Sequence, residues 1–591
     1  MKKNLLTASL FVFVSAASAQ NNTLQSSVIC ESSVATGINQ FTSAFGHKTN
    51  LWYDKDVDAL SFVYVATPSS VGYAYSLNHG STWQVDTVLY NAPSLNEKGR
   101  YPQGAIYNPT GNTNPSNSYV TCFGMTSDTA GFNGFYEGTT ALGSGVNQQT
   151  HYTFFTSPQS FVPQGGTIIR NTHDTWWSAG GNSGLGYNDT IVLAKGTFGG
   201  GNFSYNFFKL HVPVCTDNHG NKMYRNQAII FDDSGQLGYV VVIGNDWACN
   251  GQDSAMGLII FKTSDGGNTW GQEPRPNLSV VDNMLLNNGS TYSSATQLDL
   301  AMDQNDVLHI GLPVIPFMSG NIVQINYPSG SWGLFDFSVT LSQVWNACLI
   351  TKPQTYHGDF GTAGSTTNPQ IQEENRFQIS RSWDGSKLFY TWFDTDTNTF
   401  GPGLNNFPDA RSVGLDLLTN LYTPEIGLTE FSGTNADGSS LFGNVSYYTI
   451  NDGTDENIPI VFDVMISNTG QPVNFFYIGC AAMNNYIYPG NCIPIFPKVQ
   501  ENNFSPEQLS VLSPYPNPFS GKTSLDISLA GSHEVTINIT NAIGQVFYSA
   551  TQVLGGGKNR VTINASALNQ GLYFLTVNAG TETVTKMMSV E

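Results

Sequence analysis

The sequence predicts an all-β protein: a β-propeller of six to eight blades, seven preferred, followed by a small Ig-like β-sandwich. Three observations lead there. Only 11% of the 591 residues are charged while 12% are aromatic and 60 are glycine, a mixture that suits short strands joined by turns rather than helical bundles or disorder. A unit of four short strands in meander order recurs, each copy about forty residues long, the size of one propeller blade. After Pro506 the composition changes, and alternating strands such as Val535 to Ile539 and Leu572 to Val577 follow at regular intervals.

Taken in chain order, the first element is a processing signal. Lys2 and Lys3 precede an apolar stretch from Leu5 to Val14, and Ala17-Ser18-Ala19 offers a small-residue cleavage site. This predicts a signal peptide over 1–19 and export of the rest. The apolar stretch is too short to span a bilayer, and no later one reaches the roughly 18 residues a membrane helix needs. The seven cysteines are Cys30, Cys122, Cys215, Cys249, Cys348, Cys480 and Cys492. They enter a compartment that permits disulfides, with Cys215/Cys249 and Cys480/Cys492 the plausible local pairs, though an odd and low count argues against a disulfide framework.

The repeating unit is clearest in two places. Asn50 to Tyr53 passes through an Asp54-Lys55-Asp56 turn to Leu60–Val65, then Val71–Tyr75, then the segment Ser76 to Trp83. Ala228 to Phe231 passes through Asp232-Asp233-Ser234-Gly235 to Leu237–Gly244, then Met256–Lys262, then Thr263 to Trp270. Partial copies lie at Leu298 to Pro313 and Phe377 to Phe393. A propeller over 20–508 buries the faces of each unit on its neighbours.

Both eight-residue segments resemble the Asp box, S-x-D-x-G-x-T-W, of sialidase-like (BNR-repeat) propellers. Ser76, Asn78, Gly80 and Trp83 match it with Asn for Asp; Thr263, Asp265, Gly267 and Trp270 match it with Thr for Ser. The resemblance implies a structural turn between the third and fourth strands, on the rim away from the usual active face. Physically, Asp or Asn accepts from turn N–H groups, glycine supplies positive φ and Trp packs beneath.

The tail, 509–591, is charge-balanced, with Lys522, Lys558, Arg560 and Lys586 against Asp526, Glu534, Glu582 and Glu591. The net charge of −20 therefore belongs to the preceding region. Pro516, Asn517 and Pro518, then Gly544 within Asn541 to Val546, then Gly571 and Tyr573, and finally Lys586 give this tail its character. In that order they resemble the type A C-terminal sorting domain of the type IX (Por) secretion system of Bacteroidota. The resemblance implies Sec export, outer-membrane passage through the type IX machinery as partner, and a secreted or cell-surface destination.

Catalytic signals are thin. A sialidase-like reaction needs an arginine triad, and only eight arginines exist. Gly99-Arg100-Tyr101-Pro102 echoes the R-I-P element of that family but follows the first Asp box instead of preceding it. His173-Asp174 and His357-Gly358-Asp359 have the composition of general-base pairs, and Trp176-Trp177 and Tyr101 to Asn108 offer aromatic rings for stacking on sugars. Asp394, Asp396 and Asn398 have the alternate-oxygen spacing of a calcium loop without its glycine and terminal Glu. An acidic chain without a basic run does not suit nucleic acid. Three classes stay open: a non-enzymatic propeller binding extracellular glycan or protein, a glycoside hydrolase-like enzyme, and a structural envelope component.

Overall fold

A computed structural model describes the chain from residue 24 to 590 apart from several segments. The longest of these are 43–49, 154–160, 169–174, 182–188, 216–223, 246–254, 318–329, 361–370 and 496–508, with shorter ones between. The expected signal peptide, Cys249, Cys480 and the His173-Asp174 pair lie outside the described residues. The chain divides into two compact units, Met1–Lys498 and Val499–Glu591.

In the first unit, antiparallel sheets follow one another along the chain. The first comprises Leu51–Asp54, Ala59–Thr67, Ser70–Ser76 and Gln84–Asn91 in that spatial order. Sheets of the same meander order begin at Lys98–Tyr107, Phe161–Ile168 and Tyr224–Phe231. A fifth contains Asp299–Met302, Leu308–Pro316, Gly333–Val339 and Trp345–Thr351; a sixth contains Gln378–Arg381, Lys387–Thr395 and Pro408–Asp416. In a seventh, Leu441–Val445, Ile460–Met465 and Val473–Ile478 are completed by Glu31–Gly37. That strand, from near the start of the chain, is antiparallel to Val473–Ile478 and closes the ring non-covalently.

The strand Gly238–Gly244 shows why these segments read as unbroken apolar runs. Val240 and Val242 pack with Ile191 and Leu193 of the third sheet. Tyr239, Val241 and Ile243 pack with Leu300 and Ile310 of the fifth. Alternate side chains point to opposite faces, and here both faces are covered. Similar clusters join the second sheet to the third, the fifth to the sixth and the sixth to the seventh. Another joins the seventh to the first, where Phe475 meets Phe62 at 4.9 Å between ring centroids.

An innermost strand has a ladder partner on one side only, so its other edge carries buried backbone groups that need partners. Polar side chains from the adjacent sheet supply them. Asn50 Nδ2 donates to Pro102 O at 3.0 Å. Gln297 Oε1 accepts from Phe377 N at 3.0 Å and Asp299 Oδ2 from Ile379 N at 2.8 Å. Gln378 Oε1 accepts from Val445 N at 3.0 Å, and Arg376 Nε donates to Gly443 O at 2.7 Å. Arg381, on the sixth sheet, reaches Asp233 of the fourth through two contacts of 3.3 Å.

The local cysteine pairing is corrected for Cys492. It bonds Cys348, 144 residues away, because Asn491–Ile495 adds to the outer edge of Trp345–Thr351 and aligns the two cysteines as direct cross-strand partners. Cys30 and Cys215 are also disulfide-bonded, whereas Cys122 is a buried free thiol.

The second unit is a sandwich of two sheets. Ser510–Val511, Lys522–Leu529 and Gly557–Asn564 form one; Val546–Leu554, His533–Thr540, Gly571–Ala579 and Glu582–Val590, in that spatial order, form the other. Leu525, Ile527, Val535, Ile537, Leu575 and Val577 are among the residues that fill the space between them. The motif residues brace this frame. Asn517 accepts from Ser589 N at 2.7 Å and donates to Met587 O at 3.2 Å. After Pro518, Phe519 N donates to Ser589 O at 3.1 Å, while Pro516 O accepts from Thr523 Oγ1 at 2.8 Å. Gly544 closes the Asn541 turn at φ 81°. Gly571 opens the strand on which the Tyr573 hydroxyl donates to Asn569 O at 3.0 Å, and Lys586 lies opposite Leu575.

Candidate functional site

In a four-stranded meander, the turns between strands 1–2 and 3–4 lie at one end of the sheet, and the 2–3 turn and the link to the next sheet at the other. The two Trp-ending segments occupy the first end and share one hydrogen-bond pattern. Ser76 Oγ accepts from Gly80 N at 2.9 Å and Asn78 Oδ1 from Thr82 N at 3.0 Å. Thr263 Oγ1 accepts from Gly267 N at 3.0 Å and Asp265 Oδ1 from Thr269 N at 2.9 Å. Gly80 and Gly267 stand at φ 80° and 85°. Trp83 packs on Tyr477 at 5.3 Å and Trp270 on Phe231 at 5.9 Å between ring centroids. Every polar atom in this description is spent on the turn itself.

The opposite end carries a different construction on the sixth sheet. Residues 396–407 link Lys387–Thr395 to Pro408–Asp416 and include one helical turn, Thr397–Phe400, capped by Asp396. Asp394 is buried, its Oδ1 accepting from Thr355 N at 2.9 Å and its Oδ2 from Gln354 N at 2.7 Å. Thr395 Oγ1 donates to Asn405 Oδ1 and accepts from Phe407 N, both at 3.0 Å. Asp409 Oδ1 accepts from Gly438 N at 3.0 Å. Gly438 has φ 59°, and a Cβ there would lie 2.6 Å from Phe400 Cζ, so this ring can seat itself only against a glycine.

The result is a pair of exposed aromatic rings on a braced loop. Phe400 and Phe407 are 42% and 48% exposed and stack at 4.7 Å between centroids with planes 9° apart. Behind them, Arg411 is buried against Glu425 at 3.1 Å and against Glu430. Burial pushes the Asp394 carboxyl up to about 6, with its bonds from Thr355 and Gln354 and the nearby Arg411 opposing the rise. Asp394, Asp396, Asp409, Glu425 and Glu430 outnumber Arg411 and Lys352, so this end is acidic. Arg411, Asp394, Asp396 and Asp409 are engaged within the protein, while the two aromatic rings are half-exposed.

The expected calcium residues are arranged by hydrogen bonds. Asp394 is committed to the 354–355 backbone, Asp396 accepts from Asn398 N at 3.0 Å and Thr399 Oγ1 at 2.7 Å, and the Asn398 side chain is exposed. Among the described residues, no group of three or more His, Cys, Asp or Glu is placed to hold a metal. Trp177 is fully buried and donates to the Tyr205 hydroxyl at 2.8 Å, so it fills a gap between sheets; the side chain of Trp176 lies outside the description. Arg100 and Tyr101 fall in the strand Lys98–Tyr107, and His357 is buried. Sequence reasoning missed Phe400 and Phe407, and it missed the amides at the start of the innermost strands. The recurrence of Arg100-x-x-Gln103, Arg225-Asn226-Gln227 and Arg376-x-Gln378 was the available signal for the latter.

Residues 513–591 match the family model of the secretion system C-terminal sorting domain. That domain indicates export by the type IX system to the cell surface or extracellular space, and no helix among the described residues is long and apolar enough to cross a membrane. No curated protein matches the chain. Among solved structures, an ulvan lyase of a new polysaccharide lyase family aligns at 10% identity over 78% of this chain and 97% of its own, with TM-score 0.40. AofleA from Arthrobotrys oligospora aligns at 10% identity over 78% and 92%, with TM-score 0.33. An α-L-arabinofuranosidase from Fusarium graminearum aligns at 10% identity over 66% and 99%, with TM-score 0.35.

Proposed function

We propose that this exported β-propeller is a binding module for uncharged glycan, held on the Phe400–Phe407 pair, and that it does not transform its ligand. The stacked, half-exposed rings carry this reading. A pyranose presents a flat C–H face that stacks on an aromatic ring, and the ordered loop beneath lowers the entropy lost on binding. The surrounding carboxylates disfavour uronate or sulfate and tolerate neutral sugars.

The test is a glycan array probed with the full-length protein and its Phe407→Ala variant. Neutral oligosaccharides should be retained, sulfated and uronic ones should not, and the variant should bind at least about tenfold more weakly, or about 1.4 kcal/mol. An unchanged melting temperature shows that binding alone was altered. Retention unaffected by Phe407→Ala would remove the site from consideration. A glycoside hydrolase-like enzyme is the competing class. Release of reducing ends from a retained oligosaccharide would favour it.

A further inference from the structure

The edge strands of the tail sandwich are not alike. Edges of a β-sheet expose unpaired N–H and C=O groups, and proteins that must stay apart blunt them with charge, proline or bulges. Glu582–Val590 is one edge of the four-stranded sheet and carries Glu582 and Lys586. Gly557–Asn564 is an edge of the other sheet and carries Lys558 and Arg560, with Arg560 Nε on Asp526 Oδ1 at 2.7 Å. Val546–Leu554 is also an edge, nine residues long, with the sequence VFYSATQVL: no charge, no proline and no glycine. It pairs with His533–Thr540 in regular register from Tyr548 to Leu554, with a shift at Phe547 between the Ile539–Tyr548 and Thr540–Val546 pairs. None of its residues is buried, and Val546, Phe547 and Val553 are 55%, 44% and 73% exposed.

A second feature begins at this edge. Val546 lies opposite Thr540, Thr540 opposite Phe574, and Phe574 opposite Met587. Directly paired residues share a face, so these four form one row across the sheet. Met587 is 59% exposed, as is Leu572 at 50%, two residues from Phe574 on the same face. An incoming strand would find backbone partners at the edge and an apolar row on the outer face for its alternate side chains.

We propose that Val546–Leu554 is the docking edge through which the tail takes an extended, uncharged segment of the type IX machinery as an added β-strand. The strand lies wholly within the residues that match the sorting domain, the part of this chain that carries an export address. Pairing through backbone groups lets one receptor accept tails whose side chains differ. An uncharged edge also fits an uncharged strand without leaving an ion unpaired.

The experiment is export of the full-length protein from a type IX-competent cell, carrying Thr551→Lys with Val553→Lys, against an equal charge placed on the opposite edge by Thr583→Lys with Thr585→Lys. Circular dichroism and melting temperature report folding. The single Val553→Lys, at an exposed residue facing Glu534, provides the milder variant if the pair fails to fold. The expected result is at least a tenfold fall of the Thr551/Val553 variant in medium and surface fractions, with periplasmic accumulation and wild-type export of the control. Equal export of the folded Thr551/Val553 variant overturns the proposal, and so does equal loss in both pairs, which would report added charge rather than this edge. If the wild type is a dimer in solution, the Thr551/Val553 variant a monomer and export unchanged, the occupant is a second copy of this chain and the proposal falls.

Discussion

Replacing Gln378 with Met tests how the ring is held at its axis. Gln378 is 2% exposed and makes three bonds: its Oε1 accepts from Val445 N at 3.0 Å, and its Nε2 donates to Gly443 O at 3.0 Å and Arg376 O at 3.1 Å. Methionine conserves length and volume, so the cavity contribution is small. Gly443 O keeps its bond from Arg376 Nε at 2.7 Å, which leaves the Val445 N–H as the backbone donor that loses its side-chain partner in a buried setting. At about 1–3 kcal/mol for a buried group left unpaired, the expected loss is about 1–3 kcal/mol. Urea unfolding of the full-length protein measures it as a lowered midpoint at unchanged slope. A loss under about 0.5 kcal/mol, the range of ordinary surface substitutions, would refute the view that these amides join the sixth sheet to the seventh.

Other outcomes follow from buried charge. Burial pushes Glu137 up to about 7 despite its hydrogen bond from Thr139. Its contribution is therefore fully present below the ordinary carboxylate range and is lost as pH rises through 7, so Glu137→Gln should flatten this fall and melt higher than wild type at pH 8. For His309, burial acts to lower the pKa, but Asp336 at 2.7 Å and Asp303 at 3.8 Å outweigh it and raise the imidazole to about 9. Its stabilisation is complete below pH 6.5 and disappears through pH 9, and His309→Gln should abolish that slope in melts across the interval. At Asp394, Asp396 and Asn398, a calcium ion would compete with the existing loop bonds. Equal melting shifts in calcium and magnesium at matched ionic strength are expected, and a larger calcium shift lost in Asp396→Ala would return the loop to the ion.

Much of the architecture is local and so was legible early. Strand alternation, the Asp232-to-Gly235 and Asp303-to-Asp306 turns and the two Trp-ending segments depend on neighbours within about ten residues, where side-chain spacing and positive-φ glycine settle the conformation. The tail could be recognised for the same reason: its motif residues brace consecutive turns and strands of one small sandwich.

The sequence alone thus determined the all-β class, the four-strand unit, the acidity of the region before the tail and the sorting tail itself. Tertiary structure alone decided which distant segments complete a sheet. Glu31–Gly37 joins Val473–Ile478, and Cys492 meets Cys348, because an edge strand can be paired by any extended segment the fold brings to it, and backbone pairing leaves little trace in side chains. It also decided which of many aromatics stay exposed. Trp177 and Phe407 are both large rings in a strand-rich chain, yet one is closed between two sheets and the other stands on a loop at an open end. Exposure is set by what packs opposite a residue, and that neighbour comes from a remote part of the chain.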